Sequence, residues 1–219
     1  MFGGYMAQDQ FFGTYYSFYT ASKKDAAILL GADNLVGDTY DIVFKNKDNK
    51  TTAWLLNRFS QEIGYFNQEE SRQLSLLQAK DWKIKAVLSF VAFSESPQPG
   101  YYWGECAILS WQKSIDEPMA VFLGKISKRI GEGIRPNLEI GKQGVQHIIE
   151  SGGNWQPTTT IPLPAKKPGT VIMKSHLKLS EKVIEQGRKG NKGCYVISWL
   201  FLLALVALVV IFGKSCIGF

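Results

Sequence analysis

The longest hydrophobic pattern in the chain covers positions 194–213, where twenty consecutive residues carry no charged side chain. As a helix with a rise of about 1.5 Å per residue, this segment would be about 30 Å long, which matches the hydrocarbon core of a bilayer. Helices buried inside a domain of this size are rarely apolar on every face. We therefore expect a transmembrane helix at 194–213, followed by a short translocated tail at 214–219.

Upstream of this segment, apolar residues alternate with a period of two in several places, which predicts strands. Positions 41–45 and 51–57 are expected to pair as a hairpin, and 62–66 is expected to form a short strand. A long strand from Trp82 is expected to pair with 101–111, and a short β-prone segment follows at 170–173. The apolar face predicted for the long strand consists of Trp82, Ile84, Ala86, Leu88, Phe90 and Ala92.

Helical periods separate and follow these strands. Asn67 is a predicted N-cap with Glu70 as its capping-box partner, which begins a helix that continues to about Lys80. Apolar residues at steps of three and four predict further helices at 116–130, 136–150 and 180–186. We therefore expect an α+β fold with a small antiparallel sheet or a partly open barrel, and with helices packed on it.

Prolines at positions 157, 162, 164 and 168 interrupt the periodic pattern and favour an extended segment. The predicted organisation is a cytosolic α+β head at 1–155, a linker at 156–193, the transmembrane helix and the tail. The linker contains the prolines first and basic residues afterwards.

Net charge is concentrated in the second half of this linker. Positions 165–193 carry a net charge of +6, which equals the charge of the whole chain, so the remainder is neutral. Basic residues beside a membrane span stay on the cytoplasmic side, and each attracts anionic lipid headgroups by about 1 kcal/mol. The sequence therefore predicts a cytosolic head and a lipid bilayer as partner. The predicted membrane-surface residues are Lys166, Lys167, Lys174, Lys178, Lys182, Arg188, Lys189 and Lys192.

The chain contains three cysteines, Cys106, Cys194 and Cys216, without a C-x-x-C pair. This number and spacing exclude a disulfide framework and a zinc knuckle. We expect Cys106 to be a small buried apolar residue. Cys194 lies at the predicted membrane edge, where it is either a site of S-acylation or simply part of the span.

The chain offers little material for catalysis. His147 and His176 are its only histidines, and no strained nucleophile turn or phosphate-binding loop accompanies them. We expect His147 to be a histidine of a helix surface or of a hydrogen-bonded core. The sequence thus predicts no catalytic residue, no metal site and no cofactor.

The segment 42–91 resembles the HIRAN domain in the order of its elements. A strand is followed by the strand of Ala53-Trp54-Leu55, by Ile63-Gly64-Tyr65, by a helix and by another strand. In that family the module is a small barrel-like domain associated with recognition of DNA ends, so the resemblance implies nucleic-acid binding. It covers less than a quarter of the chain, and Lys47 and Lys50 stand where the family usually has Asn and Asp.

Two functions follow as expectations, and a third is kept open. The first is a non-enzymatic interaction or adaptor protein, which the tail holds at the membrane and which binds an unidentified protein through Tyr101, Tyr102 and Trp103. The alternative is a membrane-tethered, HIRAN-like nucleic-acid-binding module. A hydrolase with an unrecognised site is the third.

Overall fold

The computed structural model describes residues 10–47, 50–165 and 167–188, together with Phe201, Leu203 and Leu205. The chain divides into two compact units, Met1–Leu177 and Lys178–Phe219. The strands of the first unit are β1 (Phe11–Tyr19), β2 (Thr39–Lys47), β3 (Lys50–Leu56), β4 (Glu62–Phe66), β5 (Lys83–Ser94), β6 (Tyr101–Trp111) and β7 (Thr170–Lys174). Its helices are α1 (Lys23–Leu30), α2 (Gln68–Ala79), α3 (Asp116–Gly131) and α4 (Gly141–Glu150), and α5 (Leu179–Arg188) belongs to the second unit.

The strands form one antiparallel sheet in the order β2-β3-β4-β1-β6-β5-β7. A further pairing of β2 with β5, at Thr39 with Val87 and Tyr40 with Ala86, closes the first six strands into a barrel. Strand β7 extends the sheet outside the barrel along β5. The predicted α+β class, with antiparallel strands and packed helices, is confirmed, but the barrel is closed, whereas a small sheet or a partly open barrel was expected.

Strand β1 lies in the middle of this barrel, between β4 and β6, although the sequence pattern did not predict it. All nine of its residues pair with β6, from Phe11 opposite Trp111 to Tyr19 opposite Trp103. Its two faces belong to different cores: Phe18 lies in the barrel interior and Phe11 in the core under the helices. Because both faces are apolar, the strand does not show the alternation on which the prediction relied.

The predicted apolar face of β5 is wrong beyond Leu88, because the strand contains a bulge there. Residues Ile84, Ala86 and Leu88 lie in the barrel interior as one set. The register then shifts between Leu88 and Phe90, so that Phe90 faces outward. Ser89 is the extra residue that a bulge inserts, and it reverses the alternation for the rest of the strand.

Helix α2 begins as predicted and is docked on the barrel by one buried hydroxyl. Asn67 and Glu70 form the expected capping box. The Oγ of Ser71 accepts a hydrogen bond from the backbone N–H of Ala53 at 2.9 Å and donates one to the carbonyl of Phe66 at 3.1 Å. The start of α2 is therefore fixed against β3 and β4.

Helices α3 and α4 cover one part of the outer face of the barrel. Phe122 and Ile126 of α3 and Ile148 of α4 pack against Phe11 and Trp111 in this outer core. The prediction of a helix from Pro136 was wrong by five residues, because α4 begins at Gly141. Pro136 instead forms an isolated antiparallel bridge with Thr160.

The barrel interior forms a second core, which α1 and α2 complete. Leu29 of α1 and Leu74 of α2 are fully buried in it beside Phe18, Leu55 and Cys106. The expectation that Cys106 is a buried apolar residue is confirmed.

The first part of the predicted linker, up to Leu177, belongs to the first unit and is hydrogen-bonded to its helices. The backbone carbonyl of Pro157 accepts a hydrogen bond from Arg129, and the backbone N–H of Leu177 donates one to Gly131 at 2.8 Å. Lys174 of β7 donates hydrogen bonds to three backbone carbonyls at and beyond the end of α1. These belong to Leu29, Gly31 and Asn34, at 3.3, 2.9 and 2.7 Å.

Among the residues that the structure describes, no helix combines the length and the apolar composition needed to cross a bilayer. This finding contradicts the prediction of a tail-anchored, single-pass membrane protein with a transmembrane helix. The segment 194–213 lies outside the described residues except for Phe201, Leu203 and Leu205.

Replacing Lys174 by Met is expected to lower the free energy of unfolding by about 2–3 kcal/mol. The change removes a cation that hydrogen-bonds to three carbonyls at a helix C-terminus, and it leaves those carbonyls without that partner. Urea denaturation followed by circular dichroism measures the loss. Lys167→Met, at an exposed position, is the matched control and should change stability by less than about 0.5 kcal/mol. Equal stability of the two variants would contradict this role of Lys174.

Candidate functional site

Four aromatic side chains form a continuous line across adjacent strands, and we call them the aromatic row: Trp54, Tyr65, Tyr19 and Tyr101. They lie on β3, β4, β1 and β6, with Trp54 opposite Tyr65 and Tyr65 opposite Tyr19. Successive ring centroids are 5.3, 6.2 and 6.1 Å apart. All four residues are half-buried, so the row presents aromatic surface to solvent.

Strand alternation places the row on the outer face of the barrel. Ala53, Leu55 and Phe66 are buried in the barrel interior, so the side chains between or beside them point outward. Gly64 allows the strands to approach here, because a Cβ at this position would lie 2.6 Å from the ring of Phe18. The glycine therefore makes room for the interior core directly beneath Tyr65.

A basic group lies at the Trp54 end of the row. The Nζ of Lys45 is 4.8 Å from the centroid of the Trp54 ring and 2.6 Å from Oε1 of Glu62. Two further exposed lysines, Lys47 and Lys50, lie opposite each other at the end of the β2–β3 pair. This end of the row can attract an anionic ligand, although Glu62 neutralises part of the charge.

Glu70 brings a carboxyl to the Tyr19 part of the row. Its Oε2 accepts the backbone N–H of Asn67 at 3.4 Å, and the backbone N–H of Ser17 also hydrogen-bonds to this carboxyl. Ser17 precedes the first β1 residue that pairs with β4, which is Phe18. The start of α2 thus holds Glu70 against β1 where the β1–β4 pairing ends.

The electrostatic environment of Glu70 disfavours its charged form. Burial raises the pKa of Glu70 to about 7, and the charges of Glu69 and Glu105 add to this effect, while the two backbone hydrogen bonds oppose it. The pKa of Tyr19 is also raised, mainly by burial and next by the charge of Glu70. Burial thus favours the neutral form of Glu70, whose carboxyl is hydrogen-bonded to Ser17, two residues before Tyr19 on β1.

A buried ion pair lies on the same outer face, next to the helices. Arg135 is 5% exposed and pairs through Nη2 with Oε2 of Glu105. Its guanidinium carbon is 4.5 Å from the ring centroid of Tyr15 and 5.5 Å from that of Phe90. Its Nε and Nη1 find no hydrogen-bond partner among the described residues, and the guanidinium packs against the two rings.

The same cluster is tied to the chain that leads into α4. The hydroxyl of Tyr15 donates a hydrogen bond to the carbonyl of Pro136 at 2.9 Å, and burial raises the pKa of this phenol. Arg135 and Glu105 compensate each other's charge, and both rings are packed against the guanidinium. The cluster therefore holds the segment after α3 on the barrel and offers no free group for catalysis.

Of the three residues predicted as a partner surface, Tyr101 and Trp103 share one face of β6, the face of Tyr19, and Tyr102 lies on the other face. Tyr101 belongs to the aromatic row. Tyr102 packs against Phe93, with ring centroids 4.8 Å apart, and its place in the strand turns it to the opposite face. The Nε1 of Trp103 donates a hydrogen bond to Oγ of Ser94 at 2.9 Å.

The predicted basic residues are distributed over different environments. Lys174 is half-buried and engaged at the end of α1, as described above. Lys167, Lys178 and Lys182 are exposed. Lys166, Lys189, Lys192, Cys194 and the side chain of Arg188 lie outside the part of the chain that the structure describes.

Within the described ranges, no three His, Cys, Asp or Glu side chains gather in a group that could hold a metal ion. His147 lies on the surface of α4, with 56% of its side chain exposed, which agrees with the first of the two expectations for it. Its ring lies 5.8 Å from that of Trp155 and its Nδ1 lies 3.9 Å from Glu150.

Sequence reasoning missed most of the aromatic row. Trp54 and Tyr65 stood in the segments used for the resemblance, but neither was predicted to be a surface residue. The sequence did contain one indication: each of the two residues is next to apolar residues expected to face the interior of a strand pair, so alternation predicts that its own side chain points outward. Nothing in the sequence alone indicated that β3, β4, β1 and β6 are neighbours.

Comparison of the chain with family models, with curated proteins and with solved structures finds no match. The site is therefore interpreted from its own geometry.

Replacing Arg135 by Met is expected to lower the free energy of unfolding by about 3 kcal/mol, because Glu105 would remain nearly buried without its partner. The double variant Arg135→Met with Glu105→Gln should recover part of this loss, since the remaining group is neutral. Urea denaturation of the single and double variants measures both values. A single variant as stable as the parent would contradict the importance of this ion pair.

The stability of the protein should fall as pH rises from about 4.5 to 7. In the unfolded chain Glu70 ionises near its usual pKa of about 4.3, whereas in the folded chain it holds its proton up to about 7. Glu70→Gln keeps the capping-box hydrogen bond and removes the titration. We expect the variant to gain roughly 1–2 kcal/mol over the parent between pH 5 and pH 8, with partial exposure limiting the effect. Thermal unfolding at both pH values tests this, and parallel stability curves would contradict it.

Proposed function

We propose that the barrel is a non-enzymatic binding module that takes single-stranded nucleic acid across the aromatic row. The spacing of the four rings on adjacent strands, 5.3 to 6.2 Å between neighbouring centroids, carries this proposal. Bases of an extended strand stack on such side chains with little regard to sequence, and each stacked base contributes about 1–3 kcal/mol.

Basic side chains near one end of the row favour a modest affinity for the phosphates of a nucleic acid. Lys45 lies at the Trp54 end, and Lys47 and Lys50 lie four residues further along the β2–β3 pair, where phosphates of a strand that extends past the row would meet them. Residues 1–164 carry no positive excess, so we expect only about one to three phosphate contacts. Such a module binds with a shallow salt dependence.

The resemblance to HIRAN domains supports the same ligand class. Trp54 belongs to the Ala53-Trp54-Leu55 strand and Tyr65 to Ile63-Gly64-Tyr65, which are the segments that carry the resemblance. That family is associated with recognition of DNA ends. Two of the four members of the row thus come from the part of this chain that resembles a DNA-binding module.

The chemistry of the row suits binding rather than catalysis. Phenol and indole rings beside an ion-paired lysine offer stacking surface and charge. They do not supply the paired nucleophile and base that a hydrolase requires. We therefore place a hydrolase below both binding functions.

A protein partner is the second candidate, and Phe59 favours it. Its side chain is 53% exposed on the loop between β3 and β4, with the guanidinium of Arg58 4.6 Å from its ring centroid. The Oδ1 of Asn57 holds the loop by accepting the backbone N–H groups of Phe59 and Gln61, both at 2.9 Å. Preorganised aromatic and arginine side chains are typical anchors of protein interfaces.

The full chain should bind a fluorescently labelled twelve-residue oligothymidylate, as measured by anisotropy at low salt. Trp54→Thr and Tyr65→Thr should each weaken binding about tenfold or more, because each removes a stacking ring while threonine keeps the preference for a strand. Phe59→Ala removes an exposed aromatic residue outside the row and is the matched control, with unchanged affinity expected.

Wild-type affinity in both row variants would show that the aromatic row is not the binding site. Failure of the wild-type chain to bind the oligonucleotide at any salt concentration would overturn the nucleic-acid function and make the protein partner the leading candidate.

A further inference from the structure

The spacing of the aromatic row decides which form of a nucleic acid can match it. The centroids of successive rings, from Trp54 through Tyr65 and Tyr19 to Tyr101, are 5.3, 6.2 and 6.1 Å apart. Bases in one strand of a duplex follow each other at about 3.4 Å. A strand that places one base on each ring must therefore be extended and unstacked, and a duplex does not match the row.

Neighbouring rings leave no room for a base between them. An inserted base would need two parallel rings about 7 Å apart, which is twice the stacking distance of about 3.4 Å. Successive rings of the row are closer than this, and they are tilted against each other by 43°, 43° and 40°. A bound base can thus lie over a ring but not between two rings, so each ring takes one base.

The residues beyond both ends of the row are not aromatic. On β2, Val43 is opposite Trp54 and continues the line on one side. On β5, Ser94 is opposite Tyr101 and continues it on the other side. Neither a valine nor a serine offers a ring on which a further base could stack, so the line of rings has four positions.

A fifth ring, that of Trp103, lies on the same face but has other partners. It packs edge-to-face against Phe90, with ring centroids 5.4 Å apart and an angle of 82° between the planes. Its Nε1 donates a hydrogen bond to Oγ of Ser94, which is also hydrogen-bonded to Oγ1 of Thr170 at 3.0 Å. These contacts hold Trp103 beside the row rather than in its line.

We propose that the aromatic row binds an unpaired segment of four nucleotides, with one base on each ring and the strand extended across β3, β4, β1 and β6. Duplex nucleic acid is excluded as a ligand of this surface. This inference rests on the proposed function, because it names the substrate class of the same site.

The length of the ligand tests this inference. Unlabelled oligothymidylates of one to eight residues compete with the labelled twelve-residue oligothymidylate for the full chain, and anisotropy gives each dissociation constant. Each of the first four residues should raise the affinity about fivefold or more, because each gains a ring. Every further residue gains no ring and should add less than about twofold. A twelve-base-pair duplex should compete at least about tenfold more weakly than its thymidine strand alone.

Two variants of β6 show whether the rings set this length. Tyr101→Thr removes the terminal ring and should move the break in the length series from four residues to three. Tyr102→Thr makes the same change on the opposite face of the strand and is the matched control, with the break kept at four. Circular dichroism verifies that both variants are folded, and the length series of the wild type decides without them.

Each outcome decides the matter. A break at another length in the wild type, or a steady rise through eight residues, would overturn the inference and leave the proposed function standing. A duplex that competes as well as the single strand, or a break that stays at four in Tyr101→Thr, would do the same. Absence of binding by the twelve-residue strand would overturn the proposed function, and this inference with it.

Discussion

The fold depends on the burial of β1 from both sides. Its nine-residue pairing with β6 places Phe18 in the barrel interior and Phe11 in the core under α3 and α4. Helices cover only the Phe11 end of the outer face, while Tyr19 at the other end stays half-exposed. One strand therefore joins the two cores and also carries a residue of the candidate site.

Charged side chains lie at the boundary between the part of the outer face that the helices cover and the part that is open to solvent. Arg135 and Glu105 form a nearly buried pair at the edge of the helix layer, and Glu70 follows on the open side beside Tyr19. Burying a compensated pair is tolerated because each charge has its partner, whereas burial raises the pKa of the Glu70 carboxyl. The same face thus contains one acid that is permanently paired and another that responds to pH.

The sequence was informative where the pattern was local. The capping box of Asn67 and Glu70, the strand after it and the buried Cys106 are confirmed. Strand β1 was missed because it is apolar on both faces, and the bulge at Ser89 reversed a face that strict alternation had assigned. The aromatic row required knowledge of which strands are neighbours. That order depends on the pairings of β1 with β4 and with β6, which join residues far apart in the chain and have no local pattern.

The hydrogen bonds of Lys174 indicate where the folded unit that contains the barrel ends. A fragment cut at position 155, as the sequence suggested, would lack β7 and expose the edge of β5 at Val91 to Ser94. Unprotected edges pair with other chains, so such a fragment would tend to associate with itself. It would also lose the ammonium group that holds the carbonyls of Leu29 and Gly31. The first compact unit ends at Leu177, so the proline-containing segment belongs to the same unit as the barrel and is not a spacer beyond it.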